Sequence, residues 1–367
     1  MKTLLLAPEL FRAEGGIARI LRAYLHAMIL GAPQGSSVGA IVLNDDDSSL
    51  QRIPAYLRRA SISPLVPADR SKVRFTAASL WHGRNADRIV CGHIHLASVA
   101  RLVQWINPRM RYNVIAHGID VWRPYTWTER GGLMRAHKIL CVSEYTRRQI
   151  LRFLPSLDPA KLEIVPNTLD PDFAFPDLPR PPAAHPWPRI LTVARLTRND
   201  TYKGVDTLIE AMPLVRRQLP DARLVVVGGG NDEARLRGLA QENGGPDAVE
   251  ILGMIDDARL RDEYSRCHLF ALPSRKEGFG LVFLEAMSFG KPCLGARAGG
   301  IPEVVDEEVG ELVEYGRIDQ IADACIRLAR RPFDPRRIRE HLAKFSFEEF
   351  SKRLNAALAD PDAVPSR

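Results

Sequence analysis

Two glutamates eight residues apart, Glu277 and Glu285, frame the stretch Glu277-Gly-Phe-Gly-Leu-Val-Phe-Leu-Glu285. Gly280 stands where a helix would open, and Gly290 with Pro292 supplies the stop signals expected at its end. Glu285 then falls mid-helix among Leu281, Val282, Phe283, Leu284, Ala286, Met287 and Phe289, a neighbourhood apolar on every face that predicts a buried helix. A carboxylate there is costly unless donors reach its oxygens. A core arginine would serve, and so would the two adjacent hydroxyls of a ribose. Glu277 precedes the helix and lies beside the free amides of its first turn, where a phosphate or sugar is readily held. Taken alone, Glu277 also reads as an ordinary loop acid.

Cations stand at strand ends upstream of this pair. The run Arg189 to Ala194 reads as a strand that ends directly at Arg195, and after the polar loop Leu196–Tyr202 the dipeptide Lys203-Gly204 begins a helix. Both would project at the carboxyl edge of a sheet. Fixed cations neutralise a departing diphosphate; at about 4 Å and an effective dielectric near 20, each contact is worth on the order of 4 kcal/mol before desolvation. Their alternative reading is a pair of solvated strand-end cations, and the loop between them is expected to be mobile without a ligand.

Glycines suited to phosphate occur twice. Glu14-Gly15-Gly16-Ile17 follows the first strand where a helix begins, so backbone amides can approach an anion closely. Gly228-Gly229-Gly230 follows the strand Arg223 to Val227 and would line a nucleotide, although position 233 is Glu, so the third glycine of a dinucleotide fingerprint is missing. His117-Gly118 ends another strand, and His93 and His95 alternate like strand-end residues that could line an acceptor pocket. A two-histidine metal site would need further ligands that the sequence does not place, so no metal is expected.

The segment from Glu277 through Gly295-Ala-Arg-Ala-Gly-Gly-Ile-Pro-Glu303-Val-Val closely resembles the signature of the retaining glycosyltransferases of family 4, whose glutamates follow a Glu-x7-Glu motif. The resemblance implies an α/β chain with the GT-B fold: two Rossmann-like, doubly wound parallel-sheet domains facing a cleft. It implies that Glu285 holds the donor ribose and that Glu277 with the backbone of Gly278, Phe279, Gly280 and Leu281 holds the sugar. Arg195 and Lys203 would bind the donor diphosphate, Gly16, Gly229 and Gly230 would line the donor, and His117 would touch the sugar near the reacting centre. It further implies transfer of a hexose from GDP-mannose or a UDP-hexose to a glycan or lipid-linked acceptor, with retention and without a metal or other cofactor, in bacterial polysaccharide or lipopolysaccharide synthesis. No nucleophile stands out, which agrees with the front-face displacement of that family. Val165-Pro-Asn-Thr-Leu-Asp170 resembles the family's interdomain segment, with Thr168 where glycine is usual. Asp45-Asp-Asp47 superficially resembles the Asp-x-Asp metal motif of the other main glycosyltransferase fold, but its Asn and Ser neighbours predict a solvated loop.

The elements that must position these residues read as alternating apolar runs and helical patterns, the mark of parallel α/β architecture. Strands are expected at 3–7, 38–43, 89–91, 112–116, 139–142 and 163–165, then at 189–194, 223–227, 249–252, 269–272, 292–295 and 310–314. Helices are expected notably at 17–30, 144–154 and 204–219. The proline-rich stretch through Pro188 reads as a linker. The expected domains are 1–170 on the acceptor side, a linker over 171–188, a nucleotide-sugar domain over 189–345, and a terminal helix within 346–367 that returns to the first domain.

Composition sets the outer limits. At 367 residues with an ordinary charged fraction of 26%, the chain suits two globular domains. No apolar run approaches the roughly 20 residues that span a bilayer, and the opening Lys2–Pro8 is too short for a signal-peptide core. Five scattered cysteines without a Cys-x-x-Cys pair suggest reduced thiols and a cytoplasmic setting. Residues 1–170 carry 23 Lys and Arg against 13 Asp and Glu, while the remainder is slightly acidic. That excess could attract an anionic acceptor or the anionic inner face of a membrane, although no amphipathic insertion helix stands out beside it. Nucleic acid is not expected, for want of a recognition motif. Two other classes fit the same pattern: a sugar-nucleotide epimerase or phosphorylase, although no lysine stands in a pyridoxal-phosphate context, and a non-catalytic nucleotide-sugar-binding protein.

Overall fold

Runs of Leu, Val and Ile buried on both sides build the strands, and helices with one apolar stripe cover them, as a parallel sheet requires. The computed structural model describes residues 1–12, 15–173 and 188–359, and these divide into two compact units, one of 1–173 with 345–359 and one of 188–344. The expected linker falls almost wholly outside the described residues, as does Glu14.

The first unit opens with β1 (Lys2–Ala7), α1 (Gly16–Leu30), β2 (Ser37–Val42), α2 (Ala55–Arg58), β3 (Ile62–Pro67) and α3 (Lys72–Gly83). It continues through β4 (Arg88–Cys91), α4 (Ala97–Ile106), β5 (Arg111–Ala116), α5 (Trp127–Arg135), β6 (Lys138–Cys141), α6 (Glu144–Phe153) and β7 (Leu162–Ile164). Its seven strands run parallel in the order β3-β2-β1-β4-β5-β6-β7. β3 is a strand that the sequence reading omits. Pro64 and Pro67 disguise it, and it survives because it is an edge strand that needs partners on one side only.

The second unit holds β8 (Arg189–Val193), α7 (Val205–Gln218), β9 (Arg223–Val227), α8 (Glu233–Glu242), β10 (Val249–Gly253) and α9 (Asp257–Arg266). After these come β11 (Leu269–Leu272), α10 (Leu281–Ser288), β12 (Cys293–Ala296), β13 (Gly310–Val313), α11 (Ile318–Arg330) and α12 (Pro335–Ala343). The order β10-β9-β8-β11-β12-β13 places a topological switch between β8 and β11, where the chain stops adding strands on one side and starts on the other.

The last helix, α13 (Phe347–Leu358), packs on α1 of the first unit. Its Phe350 ring meets Tyr24 edge-on at 4.9 Å, both fully buried. Burying a phenylalanine of this kind stabilises by about 1.5–3 kcal/mol. Where the chain leaves and re-enters this unit, the Thr168 hydroxyl donates to the Phe345 carbonyl at 2.8 Å, a contact that the glycine usual at this position could not make. Asp170 closes a buried ion pair with Arg22 of α1 at 3.1 Å.

Candidate functional site

At the switch point of the second unit, the loops after β8, β9 and β11 emerge side by side from the carboxyl edge of the sheet. Lys203 and Glu277 meet there: the ammonium donates to the carboxylate at 2.5 Å, with only 17% and 16% of the two side chains exposed. Each is the other's charge partner. Glu277 is held by its backbone as well, since Gly300 donates to its carbonyl at 2.8 Å and Gly299, at φ 62, packs so closely that a Cβ would fall 2.5 Å from that oxygen.

Arg195 reaches a different acid. Its Nε and one terminal nitrogen bond Asp200 at 2.7 and 3.2 Å, and Asp200 also accepts from the Thr197 and Tyr202 hydroxyls, each at 2.7 Å. Burial alone would raise the Asp200 pKa, but the bonds from Thr197, Tyr202 and Arg195 outweigh it and leave the carboxyl below its usual value. The loop expected to be mobile folds, within Arg198–Lys203, as two short 3-10 turns that meet in a kink at this acid. Arg195 still exposes 70% of its side chain, so a polar ligand can reach its outer face. Gly229 joins the same patch, its carbonyl accepting from the Leu196 amide at 3.0 Å, with Gly230 beside it.

Gly280 caps α10 in the left-handed region, φ 94, with no side-chain cap, so the helix start is left to backbone amides. Gly278 and Phe279 are buried in the approach to it, and Leu281 is half-buried. Glu285 is buried on α10, as its neighbours imply. The hydroxyl of Tyr264 on α9 donates to it at 2.8 Å, and Tyr264 itself stacks on Phe289 at 5.7 Å. Sequence reasoning missed Tyr264, although its spacing with Leu260 and Glu263 marks the buried stripe of α9.

Gly16 and His117 belong to the first unit. Gly16 opens α1 with no side-chain cap and no acid in the first turn. The loop before it is pinned by Asp45, which is not the solvated acid expected: fully buried, it accepts from the amides of Leu10, Phe11 and Arg12 at 3.2, 2.9 and 3.3 Å. The Asn and Ser around it suggested a loop and said nothing of three amides folding back.

His117 ends β5, and its Nε2 lies 2.8 Å from the Gly92 carbonyl. Burial pushes its pKa down to about 4, so the ring is neutral near pH 7. Nε2–H must then be the donor to the carbonyl, leaving Nδ1 as an acceptor. His93 stands beside it, its own pKa lowered to about 4 by burial, and its Nε2 is 3.9 Å from the Asp120 carboxylate. Neither His93 nor His95 lies in a strand, because His93 caps a 3-10 turn at Ile94–Leu96. Elsewhere Asp306, Glu308 and His341 converge within 4.8 Å, but the Lys344 ammonium lies 3.3 Å from the His341 ring nitrogen and already supplies a cation.

Comparison with known proteins follows the same division. Residues 180–345 match the family model described as glycosyl transferases group 1, and residues 15–173 match the model for glycosyltransferase family 4. A GDP-mannose-dependent alpha-(1-6)-phosphatidylinositol monomannoside mannosyltransferase of Mycobacterium tuberculosis is 31% identical over 340 residues, covering 85% of this chain and 83% of that protein. An alpha-maltose-1-phosphate synthase of Mycolicibacterium smegmatis is 28% identical, with 91% and 89% covered. Among solved structures, a sucrose-phosphate synthase of Thermosynechococcus elongatus superposes with a TM-score of 0.75 at 22% identity, covering 98% of each chain. The Anabaena protein HepE, in complex with UDP and glucose, gives 0.74 at 18%, covering 98% of this chain and 99% of its own.

Proposed function

Since the chain belongs to the group 1, family 4 glycosyltransferases and has the GT-B fold, we propose that this nucleotide-sugar-dependent glycosyltransferase moves mannose from GDP-mannose to a lipid-linked acceptor. Configuration is retained, no metal takes part, and the product enters a bacterial glycolipid or polysaccharide. The observation that carries the reading is the Lys203–Glu277 pair at the switch point, with Glu285 eight residues on, in a chain 31% identical to a mannosyltransferase across most of both lengths.

In this reading Tyr264 orients the Glu285 carboxylate toward the ribose hydroxyls. Arg195 and Lys203 hold the diphosphate and stabilise its charge as the bond from the anomeric carbon to the phosphate oxygen breaks. Glu277 and the backbone of Gly278–Leu281 hold the sugar hydroxyls, with Gly229 and Gly230 beside the nucleotide and Gly16 at the amide-lined start of α1. Neutral His117 offers Nδ1 to a hexose hydroxyl. The acceptor oxygen bonds the anomeric carbon on the face the diphosphate leaves, and its proton passes to the departing phosphate oxygen.

Thermal unfolding with GDP, UDP, ADP and their sugars, in the presence of a chelator, tests the donor. A ligand at 100 times its dissociation constant stabilises the fold by about 2.7 kcal/mol. GDP and GDP-mannose should raise the melting temperature more than the others, and should do so much less in Glu285→Ala. Stabilisation by UDP alone would overturn the mannose assignment, and stabilisation by none would overturn the donor site. Transfer of labelled mannose to phosphatidylinositol mannosides then tests the acceptor.

A further inference from the structure

Three consecutive helices of the first unit, α3, α4 and α5, bury their inner faces in one core through Phe75, Ala100, Val103 and Leu133. Outer faces of such helices are ordinarily polar. Here they are not. Val73 and Trp81, two turns apart on α3, are 80% and 60% exposed, and Ala77 between them is exposed too. On α4 the outward residues are Leu102, Trp105 and Ile106, and α5 begins with Trp127, 79% exposed. The second unit, among its described residues, exposes one large apolar side chain, Met254.

These residues form one continuous surface. The Arg101 guanidinium lies 5.9 Å from the rings of both Trp105 and Trp127. Asn107 binds the Gly83 and Ala86 carbonyls at 3.2 and 2.8 Å, fastening the end of α4 to the end of α3. Arg84 covers the Trp81 ring at 3.6 Å. An open hollow of about 710 Å³, lined by Gln104, Trp105, Pro108 and Arg135, lies within this surface.

Its charge has one sign. Residues 70–111 hold eight Arg and Lys and a single acid, Asp87. Lys72, Arg74, Arg84, Arg101, Arg109 and Arg135 form no ion pair with any described residue, whereas several exposed arginines of the second unit are paired, as in Arg237–Glu233, Arg317–Asp319 and Arg327–Glu311. Unpaired cations around exposed tryptophan and aliphatic side chains match the boundary of an anionic bilayer. Tryptophan rests there at headgroup depth, aliphatic groups enter the acyl edge, and Arg and Lys meet lipid phosphates. A nucleic acid would use the rings but not Val73, Leu102 and Ile106, which offer no stacking face.

We propose that the outer face of α3, α4 and α5 is the surface by which this protein docks on anionic membranes. The inference rests on the lipid-acceptor reading for its purpose, but its test uses neither donor nor acceptor, so either can fail alone. The full chain is floated with vesicles of phosphatidylcholine, and with vesicles containing one third phosphatidylglycerol. Binding should be at least about tenfold stronger to the anionic vesicles, weaken in high salt, and shift tryptophan emission to the blue. The pair Trp105→Ser/Trp127→Ser should lower binding about tenfold, and Arg109→Glu/Arg135→Glu by a similar factor. Both pairs should keep the wild-type unfolding curve, and Met254→Ser should change nothing. Failure of the wild type to float with anionic vesicles would overturn the proposal, as would equal binding by either double variant or capture by an acidic protein instead of lipid.

Discussion

The Lys203–Glu277 contact leads to a prediction in which two substitutions on one ion pair act in opposite directions. In the free protein the ammonium lies 2.5 Å from the carboxylate, and both side chains are mostly buried. A diphosphate arriving at Lys203 must share that cation with Glu277 and approach a second anion. The direct attraction is on the order of 4 kcal/mol at an effective dielectric near 20, but most of it is offset by desolvation. If about a third survives as competition, Glu277→Gln should tighten GDP binding about tenfold, equivalent to roughly 1.4 kcal/mol. Lys203→Met should weaken GDP about 10²-fold, since it removes a charge-assisted contact and leaves Glu277 facing the phosphates. Sugar transfer should fall at least 10²-fold in both variants, because Glu277 is assigned to the hexose. Titration calorimetry with GDP, in parallel with a transfer assay, separates these effects. If Glu277→Gln weakens GDP as much as Lys203→Met does, the two side chains do not compete and the assignment of one to phosphate and the other to sugar is wrong.

Asp45→Ala should strand the amides of Leu10, Phe11 and Arg12; a loss of about 2–4 kcal/mol is expected, and an unchanged melting temperature would contradict the role given to this buried acid. His117 should make stability pH-dependent. Its folded pKa, about 4, lies below the ordinary 6.5, so the unfolded chain binds the proton first. The contribution is present in full above about pH 6.5 and is lost as the pH falls toward 4, by up to about 1.4 kcal/mol per unit. Urea unfolding of His117→Gln should show a shallower decline over that window, and parallel curves would exclude a buried neutral imidazole.

What the sequence made legible were features carried by local order. Glu277 and Glu285 drew notice by their spacing, Gly280 and Gly290 bounded their helix, and strands such as β9 and β11 followed from their apolar runs. What stayed hidden depended on residues far apart in the chain. Tyr264 is 21 positions from the carboxylate it holds, and Asp45 is more than thirty from the amides it caps. β3 was lost because its prolines read as breakers, and only its edge position in the sheet makes them harmless. The apolar crest of α3, α4 and α5 escaped for a different reason. No single helix there has a long insertion stripe; the surface exists only once the three pack side by side.

The order of synthesis follows from where α13 sits. The second unit is one continuous stretch that ends at Lys344, whereas the first is interrupted and takes its last helix from residues 347–358. As the chain leaves the ribosome, everything the second unit needs is available before the first can be closed, because Tyr24 and its neighbours wait for Phe350. The half that starts translation is therefore the half that finishes folding last. An interruption of synthesis shortly after Lys344 would leave a finished second unit joined to a first whose α1 face is still bare, and that apolar face would need shielding until residues 347–358 arrive.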